Sequence, residues 1–413
     1  MSQPANQFLE TANYLGTLIC RDALWADERC NWLGPSMEYV NGAWTVVHRA
    51  YGSDLYAGAT GISLFLAHLY LETKEKIYRT TAAAGFRQAI TGATNFQPTV
   101  QSGFYAGTVG IAYALLEAAV LLGHDEYVTE ALHFLESLTS EDQPQQGLDV
   151  VSGHAGAIPA LLEMHRKHAH DFLLQLAVKY GEHLIATANR GSLGWSWSTL
   201  NTERDLTGFS HGTAGIGWAL LELYHRTEAE RFRAAAEEAF RYERHWYNSE
   251  QENWPDFRSF SNQNPSATLP CALAWCHGAP GIGLSRLRAY ELTGDQIYRD
   301  EAETAVRTTA KMLLAATQAA GENFSLCHGL SGNADLLIYA SRVLRDDSHI
   351  SLVEQIGELG IERYRKPRLP WPCGVPQGGE TPNLMLGLAG IGYFFLRLYK
   401  SSAHRSLLII LPY

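Results

Sequence analysis

The stretch GFSHGTAGIGWALL (Gly208–Leu221) runs a Gly-x-x-Gly turn into an apolar segment with helical spacing, and this arrangement recurs along the chain. Seven copies begin at Gly58, Gly107, Gly153, Gly212, Gly278, Gly329 and Gly387, with successive first glycines 49, 46, 59, 66, 51 and 58 residues apart. One such turn carries little information. Seven at near-regular spacing identify a repeat architecture. The downstream segments Ile62–Leu71, Ile111–Leu122, Ile216–Arg226, Ile282–Leu292 and Ile391–Tyr399 read as helices, rich in Ala, Leu and Glu at helical intervals. Upstream segments such as Lys74–Ile90 and Asp300–Ala319 read as helices too, so each unit is expected to run helix, loop, turn, helix.

Seven helical hairpins must bury their faces against neighbours, either in an open array with capped ends or in a closed ring. Terminal repeats of open arrays are usually atypical, yet LYAGATGI and LGLAGIGY in the first and last copies are as regular as the rest. The expected fold is therefore all-α: a closed α/α toroid of seven hairpins, one domain over residues 1–413, with the turns around one mouth. Insertions break the spacing near 189–209, with Trp195 and Trp197, and near 242–270, with Trp246 and Trp254. They read equally well as loops over the mouth and as outer-surface loops with their own aromatic clusters.

The chain has 413 residues, of which 46% are hydrophobic and 18% charged, enough to build a large core. A net charge of −11 argues against nucleic-acid binding, which needs a basic face. No apolar run of about 18 residues is present, so no membrane span is expected. Neither is a signal peptide, and the short apolar tail Leu407–Pro412 should pack on the body. Six cysteines in this length do not form a disulfide framework, and a reducing cytoplasm is the expected setting.

The repeats act as an internal control on chemistry. Just before the first glycine stand Ala57, Ala106, Ser152, His211, His277, His328 and Leu386; one position earlier stand Tyr56, Tyr105, Val151, Ser210, Cys276, Cys327 and Met385. A turn with a purely structural task does not require the change to Cys and His in copies four to six. A lone Cys-His pair is usually a buried thiol beside a packed histidine. Two at matched positions of adjacent repeats point to a metal site, since thiolate and imidazole are preferred zinc ligands. His211 lacks a neighbouring cysteine and reads as a general acid or base, or as a histidine bonded to the backbone. Asp149, in the apolar strip GLDVVSGHAG, is costly to bury unpaired. It reads either as a site carboxylate or as a cap for the next helix, and Asp54 holds the equivalent place in the first repeat. His154 reads as structural.

These motifs resemble the lanthionine cyclases, the LanC-like family, over nearly the whole chain. The resemblance is carried by WCHGAPGIG (Trp275–Gly283), SLCHGLSGNADLL (Ser325–Leu337), GFSHGTAGIGWALL and LDVVSGHAG. ENWPDFR (Glu252–Arg258) and TPNLMLGLAGIGY (Thr381–Tyr393) look closer to the cyclase domain of class II, LanM-type synthetases. The resemblance implies one Zn2+ per chain held by Cys276, Cys327 and His328, with His211 and Asp149 as catalytic groups and His277 as a further candidate. Some members carry arginine four residues before the first zinc cysteine, where this chain has Ala272.

The implied reaction is addition of a peptide cysteine thiolate to dehydroalanine or dehydrobutyrine, forming a lanthionine or methyllanthionine ring. His211 would protonate the resulting enolate and Asp149 would orient His211. The implied partners are a dehydrated precursor peptide, with leader and core, and a dehydratase or dehydratase domain. Two other readings stay open: a LanC-like enzyme that adds glutathione or another small thiol to dehydrated residues, and a non-catalytic, zinc-stabilised peptide-binding scaffold.

Overall fold

The computed structural model describes residues 3–40, 43–140, 146–258, 269–319 and 321–412. Fourteen α-helices lie among the described residues. In chain order they are α1 (Gln3–Arg21), α2 (Ala59–Thr73), α3 (Lys76–Gly92), α4 (Thr108–Leu122), α5 (Glu126–Ser137), α6 (His154–His168), α7 (Asp171–Thr187), α8 (Thr213–Thr227), α9 (Glu230–His245), α10 (Ala279–Thr293), α11 (Gln296–Gln318), α12 (Leu330–Leu344), α13 (Ile350–Gly360) and α14 (Leu388–Lys400). The first glycine of every repeat is the N-cap of an even-numbered helix. These seven are buried almost all round: α2 buries every residue from Ala59 to Leu69, as expected of helices enclosed by protein. They form an inner ring in which each packs on the next and α14 packs on α2.

The odd-numbered helices form the outer layer. Each of α3 to α13 packs chiefly on the inner helix before it, and α1 packs on α14. The hairpin unit is thus turn, inner helix, outer helix. The helix upstream of a turn, expected to pair with the helix after it, belongs to the preceding hairpin. In the seventh hairpin the outer helix comes from the start of the chain.

The turns are tied together by backbone hydrogen bonds that run full circle. Tyr56 N–H donates to the Tyr105 carbonyl, Tyr105 to Val151, Val150 to Ser210, Ser210 to Cys276, Cys276 to Cys327, Cys327 to Met385, and Met385 back to Tyr56. The second glycine of each repeat lets its helix approach this circle. A Cβ on Gly110, Gly156, Gly281, Gly332 or Gly390 would lie 1.7–1.9 Å from the carbonyl oxygen six residues earlier, and one on Gly61 or Gly215 would lie 2.1 Å from it. Any side chain there would drive backbone into backbone, which explains why all seven copies keep the glycine.

From the far side the apolar tail enters the ring. Leu407 to Ile410 are buried, Tyr105 donates its hydroxyl to the Leu407 carbonyl at 2.6 Å, and the Trp275 indole donates to Leu408 at 2.9 Å. The tail therefore packs on the body, within its centre.

Among the described residues, three two-stranded antiparallel sheets lie outside the helical ring and leave the class unchanged: β1 (Leu24–Ala26) with β2 (Arg29–Asn31), β3 (Leu33–Val40) with β4 (Ala43–Ala50), and β5 (Asn189–Gly191) with β6 (Gly194–Ser196). The last pair belongs to the first insertion. It packs on the outer helix α9, and Trp197 donates its indole N–H to Leu184 on α7. That insertion is mainly an outer-face structure. The second insertion behaves differently. Asn253 accepts from Ala279 N–H, capping α10 with a side chain, and donates to the Ala272 carbonyl; Asp256 N–H then bonds Pro270. This fastens residues 253–258 beside the segment that leads to Cys276, while 259–268 of the same insertion lie outside the described residues.

Candidate active site

Because Cys276 and Cys327 are consecutive links in the hydrogen-bonded circle, their side chains meet. The two buried thiols face each other closely enough for Cys327 to act as donor toward Cys276, and the Tyr56 hydroxyl stands beside Cys327. The bond from Cys327 pulls the Cys276 thiol down to about 7 against the effect of burial, helped by the charges of Arg258 and His211. Cys327 moves the other way, well above the ordinary thiol range, because it holds the shared proton and is buried.

His211 follows at the next turn. Its Nδ1–H donates to Asp149 Oδ2 at 2.6 Å, while Asp149 Oδ1 accepts from Ser152 N–H at 2.6 Å. One oxygen of Asp149 thus braces the turn before α6, whose N-cap is Gly153, and the other holds the imidazole. Burial disfavours the imidazolium of His211, but the Asp149 charge and hydrogen bond, with Cys276, outweigh it and raise its pKa above the ordinary value. His277 lies on the same arc, its ring centroid 5.9 Å from that of His211. It is 1% exposed, with no hydrogen bond to either ring nitrogen among the described residues. Burial, then the Arg258 charge, pushes it down to about 3, so it is neutral at physiological pH.

His328 sits beside Cys327, and its Nε2–H donates to the Gly374 carbonyl at 2.9 Å. That bond selects the tautomer with a free Nδ1 lone pair, the arrangement usual for a metal-ligating histidine. Among the described residues no three His, Cys, Asp or Glu side chains already converge as a metal cage. The donor chemistry nonetheless fits zinc. Two sulfurs bound tetrahedrally at about 2.3 Å stand roughly 3.8 Å apart, a separation that a thiol–thiol hydrogen bond also spans. The expected ligands Cys276 and Cys327 are thus neighbours on the circle, and His328 follows Cys327 with its other nitrogen secured.

Two groups that the repeat comparison did not reach complete the arc. Asp256, nearly buried, stands 3.9 Å from His277 Nδ1 and binds Arg258 through both oxygens, with Nη2 to Oδ2 at 2.6 Å and Nε to Oδ1 at 3.0 Å. Both come from the second insertion. Both lie in the ENWPDFR stretch that carries part of the family resemblance, as an Asp-x-Arg pair whose side chains fall on one side of an extended segment. His154, expected to be structural, stacks on Tyr180 at 3.9 Å and hydrogen-bonds His183 and Gln146 away from this arc.

Residues 49–410 match the family model described as lanthionine synthetase C-like protein. The chain belongs to the lanthionine synthetase C-like family. Among curated relatives of the family is the lacticin 481/lactococcin biosynthesis protein LcnDR2 of Lactococcus lactis subsp. lactis, 22% identical over 429 residues; the match covers 99% of this chain and 41% of that protein. The nisin biosynthesis protein NisC of the same organism is 24% identical over 344 residues, covering 75% of this chain and 79% of NisC. The solved structure of nisin cyclase shares the fold, with a TM-score of 0.61 at 19% identity over 86% of this chain and 91% of that one. This LanC-like chain therefore spans less than half the length of the first of these relatives. No helix among its described residues is long and apolar enough to cross a membrane.

Proposed function

We propose that this LanC-like chain is a zinc-dependent lanthipeptide cyclase, closing thioether rings by adding peptide cysteine thiolates to dehydroalanine or dehydrobutyrine. The observation that carries the reading is the placement of the Cys276–Cys327 pair and the His211–Asp149 pair on successive links of one circle. Such a site pairs a thiol-handling centre with a proton donor. Cys276, Cys327 and His328 would hold one zinc ion, which when bound lowers the pKa of a substrate thiol and leaves one position open to it.

The remaining chemistry falls to the chain's own side chains. As the sulfur bonds the β-carbon, electron density moves to the α-carbon and its carbonyl. His211, whose charged form Asp149 favours, donates the proton that completes the addition at the α-carbon. Neutral, buried His277 lines the wall beside it and takes no proton. Enclosure by the ring brings two groups of one peptide together, which supplies much of the rate.

In this reading a dehydratase or dehydratase domain supplies the dehydrated precursor, and the reaction takes place in the cytoplasm, where the cysteines stay reduced. The described cysteines are all free. The biosynthetic roles named for LcnDR2 and NisC support a peptide substrate. The test is mass spectrometry of a dehydrated, cysteine-containing precursor after thiol alkylation, with and without the protein. Ring closure leaves the mass unchanged and removes alkylatable thiols. Thiols that stay fully alkylatable, or glutathione adducts formed in preference when glutathione is supplied, would overturn the cyclase reading.

A further inference from the structure

Arg258 is the cation of the site, yet neither the zinc set nor the proton donor uses it. Its guanidinium is held by one edge: Nε and Nη2 bond the carboxylate of Asp256, and Arg258 N–H bonds Asp256 Oδ1 at 3.0 Å. Among the described residues no hydrogen bond occupies Nη1. The side chain is 36% exposed, against 12% for that of Asp256, so the charge reaches out of the wall while its anchor lies in it. The segment that bears it is sewn to repeats four and five: Thr207 donates its hydroxyl to Pro255, and Asn253 and Asp256 bond Ala272 and Pro270. Its counter-ion Asp256 touches the space around His277, the residue after Cys276.

A surface ion pair does not need this placement. An arginine fixed by a carboxylate on one edge and free on the other presents a preoriented pair of donors to an oxygen that gains charge. Thiol addition to a dehydroamino acid creates such an oxygen. Resting on the cyclase reading above, we propose that Arg258 is a catalytic residue whose free guanidinium edge binds the carbonyl oxygen of the dehydrated residue and stabilises the enolate, with Asp256 as its positioning residue. The substrate thiol loses its proton to solvent and a sulfur lone pair forms the S–Cβ bond. The Cα=Cβ pair then shifts toward Cα and the carbonyl oxygen against Arg258. His211 protonates Cα and is reprotonated from solvent. No other reactant is consumed.

The test uses the zinc-loaded protein and a synthetic peptide with one cysteine and one dehydroalanine a few residues apart. Arg258→Gln is expected to lower kcat about 100- to 1,000-fold, the usual loss for an oxyanion donor, with KM changed by less than about threefold and zinc content unchanged. Arg258→Lys keeps the charge without the fork and should recover about tenfold of that loss. Added guanidinium ion should restore part of the rate to Arg258→Ala, which a merely structural role would not permit. A wild-type kcat in Arg258→Gln, an effect confined to KM, or zinc loss in the variant would overturn the proposal while leaving the cyclase reading standing. Failure of the wild-type protein to close the ring would overturn both.

Discussion

Replacing Asp149 with asparagine removes one negative charge while sparing the fold, and its effect follows from two hydrogen bonds. In Asp149→Asn the new amide oxygen keeps the bond from Ser152 N–H, because that acceptor caps the turn. The amide NH2 then faces His211 Nδ1, which must become an acceptor. The imidazole shifts to the other tautomer and loses the partner that favours its charged form. A charge-assisted bond of this kind contributes about 1.5–3 kcal/mol, equivalent to about one to two pKa units. With burial no longer opposed by Asp149, His211 should titrate below its ordinary value instead of above it. The imidazolium fraction at neutral pH then falls about 10- to 100-fold, and the tautomer change adds to the loss. We expect ring closure to slow about 100- to 10,000-fold, the range seen when a general acid or its orienting carboxylate is lost. Since His211 must be protonated to act, the high-pH limb of the rate profile should move toward acid by about one to two pH units. Single-turnover rates across the neutral range, with thermal unfolding as the control on folding, check this. A variant within about threefold of wild type, or a high-pH limb that stays in place, refutes the assignment of His211 as proton donor.

Cys327→Ala should bind less than about a tenth of the zinc of the wild-type chain, because a three-ligand site loses a thiolate; full zinc by metal analysis would show the ligand set to be wrong. Gly281→Ala puts a Cβ 1.9 Å from the Trp275 carbonyl oxygen and 2.6 Å from Phe209 Cβ. It should cost about 3 kcal/mol or more in urea unfolding, whereas Gly294→Ala, with φ +71° and nothing within 4 Å, should cost about 1 kcal/mol. Equal costs would contradict the close-approach account. Burial pushes His68 and His154 down to about 3. Their unfolded values lie near about 6.5, so their stabilising contribution is complete above that pH. It is lost as pH falls toward about 3, by up to about 1.4 kcal/mol per pH unit for each. Urea midpoints should therefore drop between about pH 7.5 and about pH 5.5, and less so in His154→Gln; a midpoint that rises on acidification would argue against neutral burial.

The ring was legible because its cause is local: each second glycine is demanded by a contact six residues away, so the requirement is repeated in the sequence. The hairpin pairing was not, since a turn marks where an inner helix starts and says nothing about which outer helix covers it. Comparison between repeats isolated Cys276, Cys327, His211 and His328 because they occupy shared positions. Asp256 and Arg258 escaped it because they lie in an insertion without counterparts and gain meaning only when Asn253 fastens that segment beside Cys276. Tyr56 stood among the ordinary apolar and aromatic residues of its position, and its neighbour Cys327 lies five repeats away in sequence but only two links away across the closure.

The circle of backbone bonds from Tyr56 round to Met385 and back behaves as a hoop. In an open row of turns, one gap could widen at no cost to the others. In a hoop, the circumference is conserved, so any turn that moves outward must strain its neighbours or break a link worth about 0.5–1.5 kcal/mol. The aperture is therefore a property of all seven repeats together. A bulkier guest cannot be admitted by relaxing the arc that carries the chemistry alone.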